Sequence, residues 1–129
     1  MRKSKMKYKN ETHQLIYKTY LIASPYKYPK KSLAAIFLLS ADRELWRRAK
    51  KVIDKKKILF DRIDKKGLGT YAFALLHLAS DICDGTQYVS LRDLADPYLI
   101  SDLTYMLIVE AIAICREGYE YIGIGKEFY

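Results

Sequence analysis

The chain has 129 residues, 50% of them apolar, so it can build one domain around a single core without disulfides or metal ions. Its formal net charge is +8, and no apolar segment of the kind found in export signals follows its basic N-terminus. Its most apolar run, residues 103–115, is shorter than the roughly 20 residues that cross a bilayer. We therefore predict a cytoplasmic, single-domain protein that does not span a membrane.

The chain begins with a basic segment followed by a first helix. Lysines alternate with other residues over 1–9, a pattern that would also suit an edge strand. We predict instead a flexible basic arm at 1–9 and a single helical domain at 10–129. Asn10 is expected to cap a helix that ends near Ala23. The apolar side of this predicted helix consists of Leu15, Ile16, Tyr20 and Ala23.

Two further helices are predicted before residue 55. Two prolines within residues 24–31 end the first helix, because proline cannot continue one. Residues 32–40 are apolar nearly all round and predict a short buried helix. Asp42 then opens an amphipathic helix through about residue 54, whose apolar residues recur every three and four positions. For residues 55–69 the sequence leaves a continued helix, a turn and a short strand open.

The C-terminal half predicts a core of two longer helices. The first begins at Thr70 after a glycine-rich break and ends at Gly85. A capping box at residues 90–93 starts a short helix, and a last long helix is expected over 101–116. The tail at 119–129 alternates like a short β-strand or hairpin, although its glycines weaken that pattern. The prediction is an all-α bundle of five or six helices, with the helices at 70–84 and 101–116 forming the core.

The segment around Asp84 and Gly85 looks at first like a calcium-binding loop. With Gly85 at the sixth position of an EF-hand loop, two ligand positions fall on Ile82 and Leu91, so calcium has too few oxygen ligands. These aspartates are better explained as helix ends and caps. We expect no metal site and no cofactor.

One pair of residues has the spacing of a catalytic or metal-binding site. His77 and Asp81 are four positions apart and share one face of a helix. Nothing completes a site around them, because the only other histidine is His13 and the two cysteines, Cys83 and Cys115, predict free buried thiols. A lysine pair and two glycines at 65–70 lack the spacing of a phosphate-binding loop. We therefore predict that the protein is not an enzyme.

The clearest functional signal is a set of cations and tyrosines in the N-terminal half. Residues 1–57 hold 17 Lys or Arg and 4 acidic residues, whereas residues 58–129 hold 6 and 11. Aromatic rings beside cations are typical of nucleic-acid and protein-binding surfaces, although a solvated helix face has the same composition. The candidate binding residues are Tyr26, Lys27, Tyr28, Lys30, Lys31, Arg43, Arg47, Arg48, Lys50 and Lys51.

Two functional hypotheses follow from this charge pattern. The first is a non-enzymatic protein whose basic half docks onto an acidic protein partner. The alternative is nucleic-acid binding, either through the same basic and aromatic surface or through the C-terminal half. The opposite charges of the two halves also permit self-association.

The order of elements over residues 70–125 resembles that of winged-helix regulators. The helix that would read DNA offers Leu, Met, Ile and Val to base edges rather than Arg, Lys, Asn or Gln, so this function would be degenerate. Most of the chain also resembles a family of small uncharacterised helical proteins of Gram-positive bacteria and their phages. The resemblance lies in YKNETHQLIY, SLAAIFLLSADRELW, TYAFALLHLASDICDG and DPYLISDLTYMLIVEAIAICREGY, and departs at Gly67 to Gly69. It implies only a small helical accessory protein of a mobile element and no activity. That setting suits the first hypothesis, in which the basic half of a phage or mobile-element protein docks onto a host protein.

Overall fold

The computed structural model describes residues 6–118, which form a helical domain with one small hairpin. Among these residues lie six α-helices and one antiparallel pair of short strands. In chain order they are α1 (Glu11–Ala23), α2 (Lys30–Leu39), α3 (Arg43–Ala49), β1 (Ile53–Asp54), β2 (Lys57–Ile58), α4 (Thr70–Asp84), α5 (Leu91–Leu94) and α6 (Asp102–Glu117). The predicted all-α class is confirmed. The strand predicted for the tail at 119–129 lies outside the described residues.

Helix α2 is the central element of the core. Every side chain from Ala34 to Leu39 is completely buried, because α2 packs against both α4 and α6. The two helices that we expected to form the core together, α4 and α6, contribute Leu75 and Leu107 to it. The prediction therefore placed the centre in the wrong helix. A helix that is apolar all round can be enclosed on several sides, whereas α4 has a half-buried side and α6 has an exposed one.

Residues just before α1 belong to the core rather than to a flexible arm. Met6 is only 8% exposed, and the ring of Tyr8 lies 5.7 Å from that of Phe37. The predicted arm over residues 1–9 therefore extends too far along the chain. The prediction was based on the many lysines of this segment and did not take into account Met6 and Tyr8, two side chains that have apolar surface to bury.

His13 joins α1 to α2 through its imidazole ring. The ring is 2% exposed, Nδ1 accepts a hydrogen bond from the backbone N–H of Lys9 at 3.0 Å, and Nε2 lies 2.8 Å from the carbonyl oxygen of Phe37. Because Nδ1 is the acceptor, Nε2 must carry the proton and donate it to Phe37. Burial lowers the pKa of His13 from 6.5 to about 4, so the ring is neutral at pH 7.

Helix α3 is shorter than its apolar periodicity predicts. It begins at its cap, Asp42, whose carboxylate accepts the N–H of Leu45 at 2.9 Å, but it ends at Ala49 instead of continuing to about residue 54. A 3₁₀ turn at Lys50–Val52 follows, and Ile53 pairs with Ile58 across the hairpin. The helix ends here because Ile53 is β-branched and favours extended backbone, in which it also gains a cross-strand partner.

The helix ends of the C-terminal half follow the predicted chemistry. Gly85 closes α4 at φ 76°, the left-handed region that glycine adopts without strain. Ser90 and Asp93 form the predicted capping box of α5, and Gly118 follows α6 at φ 87°. Within residues 6–118, none of the helices has the length and apolar character needed to cross a bilayer.

Candidate functional site

A wide groove separates the exposed side of α1 from α3. Its volume is about 910 Å³, and it is open to solvent along its length. The floor is apolar and aromatic, and the rim is charged. The floor and rim residues are Leu15, Ile16, Thr19, Tyr20, Ala23, Arg43, Glu44, Trp46, Arg47 and Lys50. We call this feature the α1–α3 groove.

The apolar side of α1 is shared between the core and this groove. The fully buried side chains of α1 are His13 and Tyr17. The predicted apolar residues, which include Leu15 and Tyr20, line the groove. Ile16 and Tyr20 also pack against the core, whereas Leu15 is 67% exposed. An amphipathic helix normally buries its apolar residues against its own domain. Leu15 is left available to another molecule.

The rim of the α1–α3 groove carries an excess of two positive charges. Arg43, Arg47 and Lys50 are its cations, and Glu44 is its one carboxylate. The side chain of Arg47 donates two hydrogen bonds to Glu44, and Arg48 donates a third at 2.7 Å. These contacts lower the pKa of Glu44 to about 2 and raise that of Arg47. Glu44 therefore stays ionised and orients Arg47 along the rim.

Arg48 is a structural residue rather than part of an open binding surface. Its Nη1 donates to the carbonyl oxygens of Asp64 at 2.9 Å and Lys66 at 2.7 Å. It thereby ties α3 to the loop that leads into α4. The sequence predicted that this guanidinium group binds a partner, but in the fold it donates its hydrogen bonds to the carbonyl oxygens of that loop.

The two candidate tyrosines have different surroundings. Tyr28 is 7% exposed, and its hydroxyl lies 3.1 Å from that of Tyr20, so its ring offers no open face for stacking. Tyr26 is 40% exposed. The ring of Tyr20 in turn meets Trp46 edge-on at 4.9 Å between ring centroids. These contacts make a continuous row of rings, Trp46, Tyr20 and Tyr28, that runs from the groove towards the 24–29 loop.

The predicted binding residues fall into two groups and not into one patch. Arg43, Arg47 and Lys50 line the α1–α3 groove. A second cavity of about 290 Å³ is bordered by Tyr26, Lys27, Tyr28 and Lys30. Lys31 and Lys51 are exposed and line neither of these cavities.

The groove floor was missed at the sequence level. Leu15, Ile16 and Tyr20 were assigned to the apolar side of a helix, but such periodicity does not tell which of these side chains face the core and which face solvent. One signal was present in the sequence. His13 and Tyr17 share one side of α1 with Ile16 and Tyr20, because these residues are spaced by three and four. Leu15 falls outside that side, so it cannot be buried together with them.

His77 and Asp81 hold a loop in place. The Asp81 carboxylate accepts from the Thr86 hydroxyl at 2.6 Å and from the backbone N–H groups of Tyr88 and Val89 at 2.9 and 2.8 Å. The His77 ring stacks on Tyr88 at 4.4 Å, and burial lowers its pKa. Both Asp81 oxygens are thus engaged by the 86–89 loop. The absence of enzymatic activity stays a prediction.

Within the described residues neither a metal-binding cluster nor a similarity to a known protein indicates the function. Across residues 6–118, no group of three or more His, Cys, Asp or Glu side chains is arranged to hold a metal ion. No protein-family model, curated protein or solved structure matches this chain. The resemblance to small phage and Gram-positive proteins stays a prediction, and the function must be argued from the groove itself.

Proposed function

We propose that this protein is a binding module whose α1–α3 groove receives an acidic amphipathic helix of a partner protein. The observation that carries the proposal is the groove itself, in which the exposed Leu15 and the half-buried Ile16 and Tyr20 lie beside a cationic rim. Grooves of this type bind helices whose apolar residues point inward at spacings of three, four and seven. Glutamates or aspartates flanking those anchors would meet Arg43 and Lys50.

The size of the groove sets the size of the ligand. From Leu15 to Ala23 the floor extends over eight helical steps, or about 12 Å. A partner helix of two to three turns with three apolar anchors matches this length. The cations contribute mainly to association rate and to discrimination against basic ligands, whereas burial of apolar side chains supplies most of the affinity.

The composition of the groove favours a protein partner over nucleic acid. Single strands bind where exposed rings offer their faces and cations follow the phosphates. Trp46 is 6% exposed and Tyr28 is 7% exposed, whereas Leu15, which is 67% exposed, is aliphatic. An acidic helix can use such a floor, whereas a nucleotide backbone cannot.

Trp46 provides a direct reporter for the test, because it is the only tryptophan of the chain and lines the groove. A 14-residue helical peptide without aromatic residues, with leucines at three anchor positions and glutamates beside them, is titrated into the protein. We expect a saturable change in Trp46 emission. The same peptide with lysines in place of glutamates should bind at least about tenfold more weakly.

Charge reversal in the groove gives the matched comparison. The double variant Arg43→Glu/Lys50→Glu should lose about tenfold or more in affinity for the acidic peptide. The control Lys56→Glu/Lys57→Glu changes the net charge equally at the exposed hairpin and should stay within about twofold of the unaltered protein. Equal losses in both variants would show that net charge, and not the groove, governs binding.

Nucleic acid is the alternative outcome of the same titration. A 15-nucleotide oligothymidylate is used as the probe. If it binds more tightly than the acidic peptide, with affinity falling at a slope of about −4 against log salt as for about six phosphate contacts of a single strand, the proposed peptide function is wrong. Tyr26 and Lys27 at the second cavity would then be the first residues to alter.

A further inference from the structure

Helix α6 presents a second apolar stripe on the side that faces away from the core. Its core side includes Leu107, Ala111 and Ile114, all completely buried. On the opposite side, Tyr105 is 52% exposed, Val109 is 42% exposed and Ile112 is 44% exposed. These three residues follow one another at spacings of four and three. The stripe is therefore continuous along the helix and is not covered by the described part of the chain.

The stripe ends in opposite charges. Asp102 precedes Tyr105 by three positions, and Arg116 follows Ile112 by four, and both are exposed. The full pattern, Asp102, Tyr105, Val109, Ile112 and Arg116, alternates spacings of three and four and therefore follows one side of α6. Val109 is its midpoint, seven positions from each charged end.

We propose that this stripe, the α6 seam, pairs antiparallel with the α6 seam of a second copy of the chain. A two-fold axis at Val109 would place each Val109 against its counterpart and Asp102 of each copy near Arg116 of the other. The seam is self-complementary in both its apolar centre and its charges, which is the requirement of an isologous interface. Asp102 and Arg116 of the same copy cannot pair with each other, because they are about 21 Å apart along the helix.

The area of the seam sets the strength of the dimer. Stable interfaces bury about 800 Å² on each partner, more than one helix stripe provides. Tyr98 and Leu99, which are 96% and 59% exposed, lie in the loop before α6 and add exposed apolar surface near its N-terminal end. We therefore expect a weak, reversible dimer, with a dissociation constant in the micromolar range.

Sedimentation equilibrium of the full chain between 5 µM and 500 µM, in about 0.15 M salt, tests the proposal. This salt concentration limits the long-range repulsion between two chains of net charge +8. We expect the mass to rise from monomer to dimer and no further, because an isologous interface closes. Monomer over the whole range, or growth beyond dimer, overturns the proposal.

Substitutions in the seam identify the surface. Val109→Glu should weaken dimerisation at least tenfold, since it places two carboxylates together on the two-fold axis. The control Leu15→Glu introduces the same charge at an exposed apolar position of the α1–α3 groove and should leave dimerisation unchanged. It should abolish binding of the acidic peptide, so that failure of the groove proposal and failure of the seam proposal are distinguishable. Circular dichroism of both variants verifies that they are folded.

Charge exchange tests the antiparallel register. Asp102→Arg and Arg116→Asp should each weaken the dimer several-fold, because each places like charges opposite one another. The double variant Asp102→Arg/Arg116→Asp should return to within about twofold of the original affinity. If each substitution instead weakens the dimer for reasons unrelated to the other charge, the two losses in dimerisation free energy will add in the double variant. That result would overturn the antiparallel pairing.

Discussion

His13 should make the stability of this protein depend on pH between 7.5 and 5. The folded state requires the neutral ring, because Nδ1 accepts the backbone N–H of Lys9 while Nε2–H donates to Phe37. Protonation would place an N–H at Nδ1 directly against the N–H of Lys9. In the unfolded chain the same ring is solvated and protonates with its ordinary pKa.

The magnitude follows from the two pKa values. The pKa of His13 is 6.5 in the unfolded chain and about 4 in the fold. Between these values the unfolded state binds more protons, so the free energy of unfolding falls as pH falls. The loss is about 2 kcal/mol at pH 5 and about 3 kcal/mol at pH 4, relative to pH 7.5. The contribution of the neutral ring is thus fully present above pH 6.5 and decreases below it.

Urea unfolding at a series of pH values measures this dependence. The fluorescence of Trp46 and the far-ultraviolet circular dichroism report on the same transition, and the range from pH 7.5 to 5 largely avoids titration of carboxylates. In His13→Gln the free energy of unfolding should be lower at pH 7.5 and should lose most of its dependence on pH across this range, with the remainder due to His77, whose pKa is also lowered by burial. His77→Gln is the matched control, because His77 is the only other histidine and is only half-buried. It should retain most of the dependence.

Two results would refute this reasoning. One is a stability that stays constant from pH 7.5 to 5 in the unaltered protein. The other is a His13→Gln variant that keeps the original slope, which would assign the effect to different groups. Nuclear magnetic resonance of the imidazole nitrogens supplies an independent check, since the neutral ring must carry its proton on Nε2.

Three further predictions concern the C-terminal half. Asp81→Ala should lower the free energy of unfolding by about 2 to 3 kcal/mol and speed hydrogen exchange at the Val89 amide, because that carboxylate accepts three hydrogen bonds from the 86–89 loop. Gly85→Ala should cost about 1 kcal/mol in urea unfolding, from backbone strain alone, since φ is 76° and an added Cβ meets no atom within 4 Å. Cys83 should react with iodoacetamide at pH 8 at least about tenfold more slowly than Cys115, as burial raises the pKa of the Cys83 thiol to about 11; the variants Cys83→Ser and Cys115→Ser separate the two rates.

Local signals in the sequence predicted the helix boundaries well. Asn10, Asp42 and Ser90 each cap a helix where a short polar side chain precedes an apolar repeat. Such caps act over three or four residues, so the sequence contains all of the information that they need. The end of α3 was wrong because its competitor, the pairing of Ile53 with Ile58, depends on a second segment of chain.

The prediction of the candidate site was likewise correct for some residues and wrong for others. The sequence identified Arg43, Arg47 and Lys50 as binding residues, and all three line the α1–α3 groove. It also included Arg48 and Tyr28, which the fold uses for its own contacts. Composition reveals which side chains are chemically able to bind another molecule. It does not reveal which of these side chains are already engaged in contacts within the domain.

The sequence by itself determined the helical class, the caps, and the presence of several apolar stripes. Periodicity records that one side of a helix is apolar, and this follows from residue order alone. Only the tertiary structure decided which stripe is enclosed. Helix α2 became the centre, while Leu15 on α1 and the outer side of α6 at Val109 were left exposed. The reason is that a small core has room for a limited number of helix faces, and the choice among them depends on how distant segments pack.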